Sequence, residues 1–128
     1  MIKINIMLEP VTKKNSMRIV INPKTKRPFL LSSKKYCDYE KECGKYLEEY
    51  KNMNINEYVN VKVLYYMPTK RRVDLVNLLE ATDDILTHYK VLEDDNSNII
   101  VSHDGSRVHY DKENPRCEII IEKIKEQE

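Results

Sequence analysis

Apolar residues along the chain follow two spacings, one typical of strands and one typical of helices. Alternating or short continuous apolar runs predict six strands, at residues 2–8, 17–21, 28–31, 58–67, 99–101 and 118–124. Three- and four-residue spacing predicts two helices, the first capped by Ser32 or Ser33 and running to about Lys51, the second covering residues 75–88. We therefore expect one compact α+β domain over residues 1–128, with a mixed β-sheet packed against two main helices.

The second predicted helix is amphipathic. At 100° per residue, its apolar positions fall within one arc of about 120°: Leu75, Leu78, Leu79, Thr82, Ile85, Leu86 and Tyr89. Asp74 stands immediately before the first leucine, where a helix N-cap belongs. Val76 projects onto the polar side, which is otherwise rich in acids.

Two further apolar faces are expected to be buried. In the first helix, tyrosines dominate the repeating positions, which are typical of a core or a subunit interface: Tyr36, Tyr39, Cys43, Tyr46, Leu47 and Tyr50. In the long strand at 58–67, alternate residues form one face: Val59, Val61, Val63 and Tyr65.

The chain after the second helix can bring acidic residues back toward Asp74. The helix spans about 21 Å, and the extended residues from His88 to Asp94 can cover about 20 Å. Asp94 and Asp95 can therefore lie beside Asp74 at the N-terminal end of the helix. Such carboxylates repel one another unless they are protonated or bridged by a cation, which suggests Mg²⁺ or Mn²⁺. The other interpretation is a capping aspartate, a solvated helix face and an acidic turn.

Charge is unevenly distributed, although the formal net charge is only +1. Residues 1–36 contain nine cations and one anion, whereas residues 74–104 contain eight anions and one cation. This pattern fits an enzyme that binds a polyanion and a divalent ion, and it also fits charge pairing within an ordinary surface. A loop at 22–27, between two predicted strands, carries cations at its tip.

The cysteines and histidines do not form a recognisable metal site. Cys37, Cys43 and Cys117 lack CxxC spacing, which predicts reduced thiols and a cytoplasmic protein; packing is the expected role of the first two. Without a Cys/His cluster, zinc is not expected. The histidines are isolated, and His103 beside Asp104 is the candidate acid or base. The chain contains no apolar run of membrane-spanning length and no basic-then-apolar leader.

In layout, nearly the whole chain resembles the RusA family of Holliday junction resolvases, metal-dependent endonucleases of phages and prophages. The best matches are residues 73–78 (Val-Asp-Leu-Val-Asn-Leu), 84–88 (Asp-Ile-Leu-Thr-His) and 92–95 (Leu-Glu-Asp-Asp), preceded by three cations. Weaker matches lie at residues 10–15 and 33–39. The resemblance implies junction cleavage by a homodimer acting on branched DNA, in a bacterial host cell.

The resemblance also assigns residues. Asp74 matches the first catalytic aspartate, and Asp95 the later essential one, with Asp94 beside it. The expected metal ligands are these three, with Glu80 as a further catalytic candidate and Asn77, Asp84 and Asp104 in support. The expected phosphate contacts are Lys13, Lys14, Asn15, Lys70, Arg71, Arg72 and Arg107.

Two positions depart from the family pattern. Val76 stands where the family has its second aspartate, and Glu80 where it has a lysine. Glu80, Asp84 or Asp104 can supply the missing carboxylate, and we expect a nuclease in which one of them compensates for Val76. The alternative is a catalytically weakened protein of phage origin that still binds branched DNA. A non-catalytic DNA-binding module, a protein-interaction domain and another metal-dependent nuclease are the remaining interpretations.

Overall fold

A five-stranded mixed sheet forms the centre of the molecule. The structure is a computed structural model that describes residues 1–13 and 17–125. Its strands are β1 (Ile2–Ile6), β4 (Val59–Met67), β5 (Ile100–Ser102), β6 (Arg107–Tyr110) and β7 (Arg116–Lys123), and a separate hairpin contains β2 (Met17–Ile21) and β3 (Pro28–Ser32). The helices are α1 (Lys34–Cys43) and α2 (Leu75–His88). The predicted α+β fold is confirmed.

The sheet has the order β1-β7-β4-β5. Strand β6 pairs with the later residues of β4, after those that pair with β5. The β1–β7 and β4–β7 pairs are antiparallel, whereas β5 and β6 both run parallel to β4. One strand, β6, was not predicted from the sequence. Its four residues, Arg-Val-His-Tyr, do alternate polar and apolar positions, but the run is at the short limit for a strand and all four residues are exposed.

One hydrophobic core joins the inner face of the sheet to both helices. It contains the predicted faces of β4 and α2, together with Ile4, Ile6, Cys117, Ile119 and Ile121 from the outer strands. Tyr36 and Tyr39 of α1 are also buried. Their burial within one chain assigns most of the tyrosine stripe to the core rather than to a subunit interface.

The first helix is shorter than predicted. It ends at Cys43 and continues as a 3₁₀ turn over Gly44–Tyr46 and then as turns. A Cβ atom at Gly44 would lie 2.7 Å from the Tyr89 hydroxyl oxygen, so the last turn of α2 packs directly against the chain there. Leu47 is still fully buried, because the i→i+3 turns keep it on the inner face and preserve the apparent helical spacing.

The predicted cap residues are confirmed at both helices. The Ser33 side chain accepts a hydrogen bond from the Tyr36 N–H of α1, and Asp74 accepts one from the Val76 N–H of α2. The three cysteines are thiols outside any disulfide, as predicted. Cys37 is exposed, so the prediction of a packing role is wrong for this residue and correct for Cys43.

Candidate active site

Asp74 lies at the N-terminal end of α2, directly after a cationic segment. Its Oδ1 accepts a hydrogen bond of 3.0 Å from the Val76 N–H, which satisfies one of the unpaired donors of the first helical turn. Asp74 is exposed. Because this hydrogen bond occupies only one acceptor position of the carboxylate, the other positions can take further ligands.

The cationic segment separates two clefts. One, of about 310 Å³, is lined by residues 9–12, Lys35, Met67, Thr69, Arg71, Arg72 and Val73. The other, also of about 310 Å³, is lined by residues 69–73 together with Met67, Val108, His109 and Tyr110. Three of the predicted phosphate contacts, Lys70, Arg71 and Arg72, thus line these clefts and precede Asp74 by two to four residues in the chain.

A second acidic group lies at the other half of the helix. The Asp95 N–H donates a hydrogen bond of 2.7 Å to Asp94 Oδ1, and this bond lowers the pKa of Asp94. Partial burial, the contact with Asp94 and the negative charges of Asp84 and Asp94 together raise the pKa of Asp95. Asp84 is therefore an electrostatic neighbour of the acidic pair, and a cation there would relieve the repulsion.

Asp84 also holds the loop that precedes the hairpin. Its Oδ2 lies 3.5 Å from Lys13 Nζ, and the same ammonium group lies 5.9 Å from the centre of the buried Tyr36 ring. Lys13, predicted to contact phosphate, is thus placed at the acidic half of α2. The other two predicted contacts in this loop, Lys14 and Asn15, lie outside the described residues.

His103, the candidate acid or base, pairs with Asp83 of α2 and not with its sequence neighbour Asp104. Its Nε2 lies 2.9 Å from Asp83 Oδ2 of α2, and its Nδ1 lies 2.8 Å from the Val61 carbonyl oxygen of β4. A carbonyl oxygen only accepts, so Nδ1 carries a proton. Asp104, the sequence neighbour, instead donates its backbone N–H to the Asn60 side chain.

The Asp83–His103 pair is largely withdrawn from solvent. Its two side chains are 15% and 27% exposed, and Asp83 Oδ1 is buried without a hydrogen-bond partner. Burial raises the pKa of Asp83, and the hydrogen bond that His103 donates to the Asp83 carboxylate raises the pKa of His103. Sequence reasoning placed Asp83 on the solvated face; the available signal was its position about 40° beyond the apolar arc.

The remaining predicted residues lie on the open side of α2 or at the sheet edge. Val76 is 67% exposed, as predicted, Glu80 is exposed and Asn77 is half-buried. Arg107 is exposed at the start of β6, where it pairs with Leu64 of β4. The return of Asp94 and Asp95 to Asp74 stays a prediction, since the contacts above join Asp95 to Asp84, about 15 Å along the helix.

These carboxylates match a hydrated magnesium ion better than a fully protein-enclosed one. Within residues 1–13 and 17–125, no three His, Cys, Asp or Glu side chains converge closely enough to hold a metal ion. Mg²⁺ usually keeps several waters and binds one or two carboxylates together with substrate phosphates. The hard oxygen donors of Asp74, Asp84, Asp94 and Asp95 fit that requirement in pairs.

Exposed carboxylates and clefts lined by cations occur together in this fold. This combination is typical of enzymes that act on phosphodiester bonds. A family model described as "Endodeoxyribonuclease RusA" matches residues 8–122. The chain therefore belongs to the RusA family of endonucleases, which resolve Holliday junctions, act on branched DNA and generally depend on a divalent metal. A comparison with curated proteins found no match. Among the helices of the described residues, none is long and apolar enough to cross a bilayer.

Proposed function

We propose that this chain is a metal-dependent endonuclease that resolves four-way DNA junctions by paired nicks in a homodimer. The supporting observation is that the exposed Asp74 follows, two residues later, the Arg71–Arg72 pair that lines a cationic cleft, in a chain of the RusA family. The protein would act in the cytoplasm of a bacterial host, encoded by a phage or prophage.

Asp74 at one end of α2, and Asp94 with Asp95 at the other, would each bind Mg²⁺ or Mn²⁺ together with waters and substrate phosphates. Glu80, Asn77 and Asp104 are the further candidates in support. When bound, the ion activates a water and offsets charge on the scissile phosphate. Meanwhile Lys70, Arg71, Arg72 and Arg107 would hold the flanking phosphates. Such contacts give salt-dependent affinity with little sequence discrimination.

We propose Asp84 as the carboxylate that compensates for Val76. The charge of Asp84 acts on Asp95, and its Oδ2 binds the Lys13 ammonium group. Both Glu80 and Asp104 remain exposed, and their described contacts give them no comparable link to the acidic pair. Asp84 is therefore better placed than either to share a cation with Asp95.

A homodimer would place two sites on one junction, as symmetric nicking requires. The β2–β3 hairpin offers suitable material, because one of its faces presents Ile19, Ile21 and Leu30 at 72%, 64% and 66% exposure. Exposed apolar faces of this kind typically mark protein interfaces. Two copies of the hairpin packed together would bury it.

The second candidate function is junction binding with weak cleavage. The absence of the family's second aspartate at Val76 favours it, whereas the cationic clefts are needed in both cases. Since the two candidates share the binding surface, cleavage rather than affinity separates them.

The decisive experiment is cleavage of an end-labelled four-way junction with Mg²⁺, Mn²⁺ or chelator. Variants Asp74→Asn and Asp95→Asn test the carboxylates, and Glu49→Gln, an exposed acid outside the site, is the matched control. Asparagine caps a helix as well as aspartate does, so Asp74→Asn should fold normally. We expect at least a 100-fold loss, because metal assistance is worth several kcal/mol and about 1.4 kcal/mol is tenfold in rate.

Symmetric, metal-dependent nicks that disappear in both variants would support a resolvase. Junction binding without nicks under either ion would leave the weakened binding protein. Equal binding of junction and linear duplex would reject both candidates. Equal cutting of flaps and single strands would identify a less selective nuclease.

A further inference from the structure

The helix-side face of the sheet is uncovered where β4 and β6 end. Tyr65 marks this face, because it is buried and its hydroxyl group lies 2.6 Å from the Thr82 hydroxyl group of α2. Side chains alternate along a strand, so Met67 lies on the same face, with Tyr110 of β6 as its cross-strand partner. Val108, the partner of Tyr65, lies there too. Because Val108 and Tyr110 are 40% and 47% exposed, α2 does not cover this end of the sheet.

The segment that precedes α2 forms one wall of a cleft over this uncovered face. This is the second of the two clefts described above, and residues 69–73 line it together with Met67, Val108 and Tyr110. The charged side chains of the segment are all cations: Lys70, Arg71 and Arg72. In the part of the chain that the structure describes, none of these three forms an ion pair with a carboxylate. Their charge is therefore available for an anionic ligand.

Tyr110 supplies an aromatic ring to this cleft. It is the last residue of β6, and the next N–H, that of Asp111, donates a hydrogen bond of 2.8 Å to the Met67 carbonyl oxygen. The strand end that carries the ring is thus fixed to the sheet. Lys70 Nζ lies 5.6 Å from the centre of the ring. Because Lys70 is exposed and has a long, flexible stem, its ammonium group can leave the ring for a phosphate.

The neighbouring residue, His109, points to the other face of the sheet. Its ring stacks on Tyr66 of β4, with 5.0 Å between ring centres and 21° between planes. The Arg116 guanidinium carbon lies 3.8 Å from the centre of the same tyrosine ring. Since successive residues of a strand face opposite sides, Tyr110 is the ring on the cleft side of β6.

A half-exposed ring and three cations in one cleft match the requirements of unpaired nucleic acid. Sites for this ligand combine cations that follow the phosphates with aromatic rings on which bases stack. Duplex DNA offers only base edges in its grooves, whereas a branch point interrupts stacking and exposes base faces. An acidic peptide would also pair with the cations, but membership in a family that acts on branched DNA favours nucleic acid.

We propose that Tyr110 stacks on an unpaired base at the branch point of the DNA, while Lys70 and Arg72 contact the flanking phosphates. The choice of branched DNA rests on the function proposed above, whereas the base-binding site rests on the cleft itself. Val73 of the same cleft directly precedes Asp74 in the chain. The site adds a base contact to the phosphate contacts, which alone do not distinguish a junction from linear duplex.

The test measures dissociation constants by fluorescence anisotropy in chelator, so that binding is separated from cleavage. Two single-stranded probes carry the same phosphates: a poly-dT oligonucleotide and an abasic oligonucleotide of equal length. The other probes are a four-way junction, the matched linear duplex and an oligoglutamate peptide. The variants are Tyr110→Ala, Tyr110→Phe and Lys70→Ala. The matched control is His109→Ala, which removes the adjacent ring from the other face of β6.

We expect Tyr110→Ala to weaken binding of poly-dT and of the junction by about 5- to 150-fold, the range for loss of one base–aromatic stack. Binding of the abasic oligonucleotide and of the duplex should change less than about twofold, because neither offers a base face. Tyr110→Phe keeps the ring and should bind every probe like the wild type, as should His109→Ala. Lys70→Ala should weaken poly-dT and abasic binding equally, because a phosphate contact needs no base.

Three results would overturn the proposal. If Tyr110→Ala bound poly-dT like the wild type, the ring would not hold a base. If this variant lost poly-dT and abasic binding equally, Tyr110 would act on phosphates or on folding. If only oligoglutamate binding depended on Tyr110, the cleft would belong to an acidic peptide. Conversely, Tyr110-dependent binding of poly-dT and the junction without cleavage in Mg²⁺ or Mn²⁺ would support this inference and reject the nuclease.

Discussion

The two ends of α2 differ in the charge that surrounds them. At the N-terminal end, Asp74 is exposed and follows Arg71 and Arg72 at a cationic cleft. Ten residues later, Asp84 faces the Asp94–Asp95 pair, and Asp83 is fixed to a half-buried histidine. The N-terminal end is suited to attracting phosphate, and the other end is suited to holding a cation. A single helix therefore positions both kinds of group.

The comparison also separates aspartates that look alike in the sequence. Asp83 and Asp84 are consecutive, yet Asp83 ties α2 to the sheet through His103, whereas Asp84 lies among charged side chains beside Lys13. One is a structural group and the other is available for ligands. Four experiments can break or sharpen this distinction.

The largest expected effect is on stability, from His103→Ala. This variant leaves Asp83 buried without its partner, and breaking such a pair costs about 3 kcal/mol. Urea unfolding of the variant and the wild type would measure the loss. His88→Ala is the matched control, because His88 is exposed and should cost less than about 0.5 kcal/mol. A loss below 1 kcal/mol in His103→Ala would show that the pair contributes little to folding.

Next in size is the effect of Arg71→Ala combined with Arg72→Ala at the basic end. Losing two phosphate contacts should weaken junction binding by about 10- to 100-fold and reduce the slope of log K against log salt by about 1.8. Anisotropy titrations at several salt concentrations would show both. Lys45→Ala, an exposed cation near the far end of α1, should leave the slope unchanged. An unaltered slope in the double variant would remove these arginines from the DNA interface.

A smaller effect is expected from pH. The pKa of His103 is raised from its ordinary 6.5 by its bond to Asp83, and the pKa of Asp83 is raised from 3.8 by burial. The folded state thus binds more protons than the unfolded one, so stability falls as pH rises. The His103 contribution is full below 6.5 and is lost as pH rises through its raised pKa. The free energy of unfolding of the wild type should be higher at pH 6 than at pH 9. In the double variant His103→Ala/Asp83→Asn, the values at the two pH values should lie closer together.

The smallest effect is predicted for Val76→Asp, which installs the family's second aspartate. Val76 is exposed in the first turn of α2, so an acid there should stabilise the helix by about 0.5 kcal/mol through the helix dipole. If Asp84 compensates, junction cleavage should change by less than threefold. A large gain in cleavage would instead show that the natural site is weakened. Val76→Asn is the control for the change in polarity.

The sequence determined most of the local structure. The period of α2, its Asp74 cap, the buried face of β4 and the hairpin at 17–32 are all short-range patterns of burial and capping, and the structure confirms each. The Asp-Leu-Val-Asn-Leu and Asp-Asp motifs were sufficient to indicate the family, because the spacing of such motifs is itself sequence information.

The tertiary structure decided which distant groups meet. The parallel pairing of β6 with β4 created the Tyr66–His109 stack, although β6 itself offers only a four-residue alternating run. The close approach of Tyr89 to Gly44 occurs where α1 ends earlier than predicted. The partner of Asp83 is His103, which lies 20 residues away in the chain. Burial and pairing depend on residues far apart in the chain, and local spacing does not record these contacts.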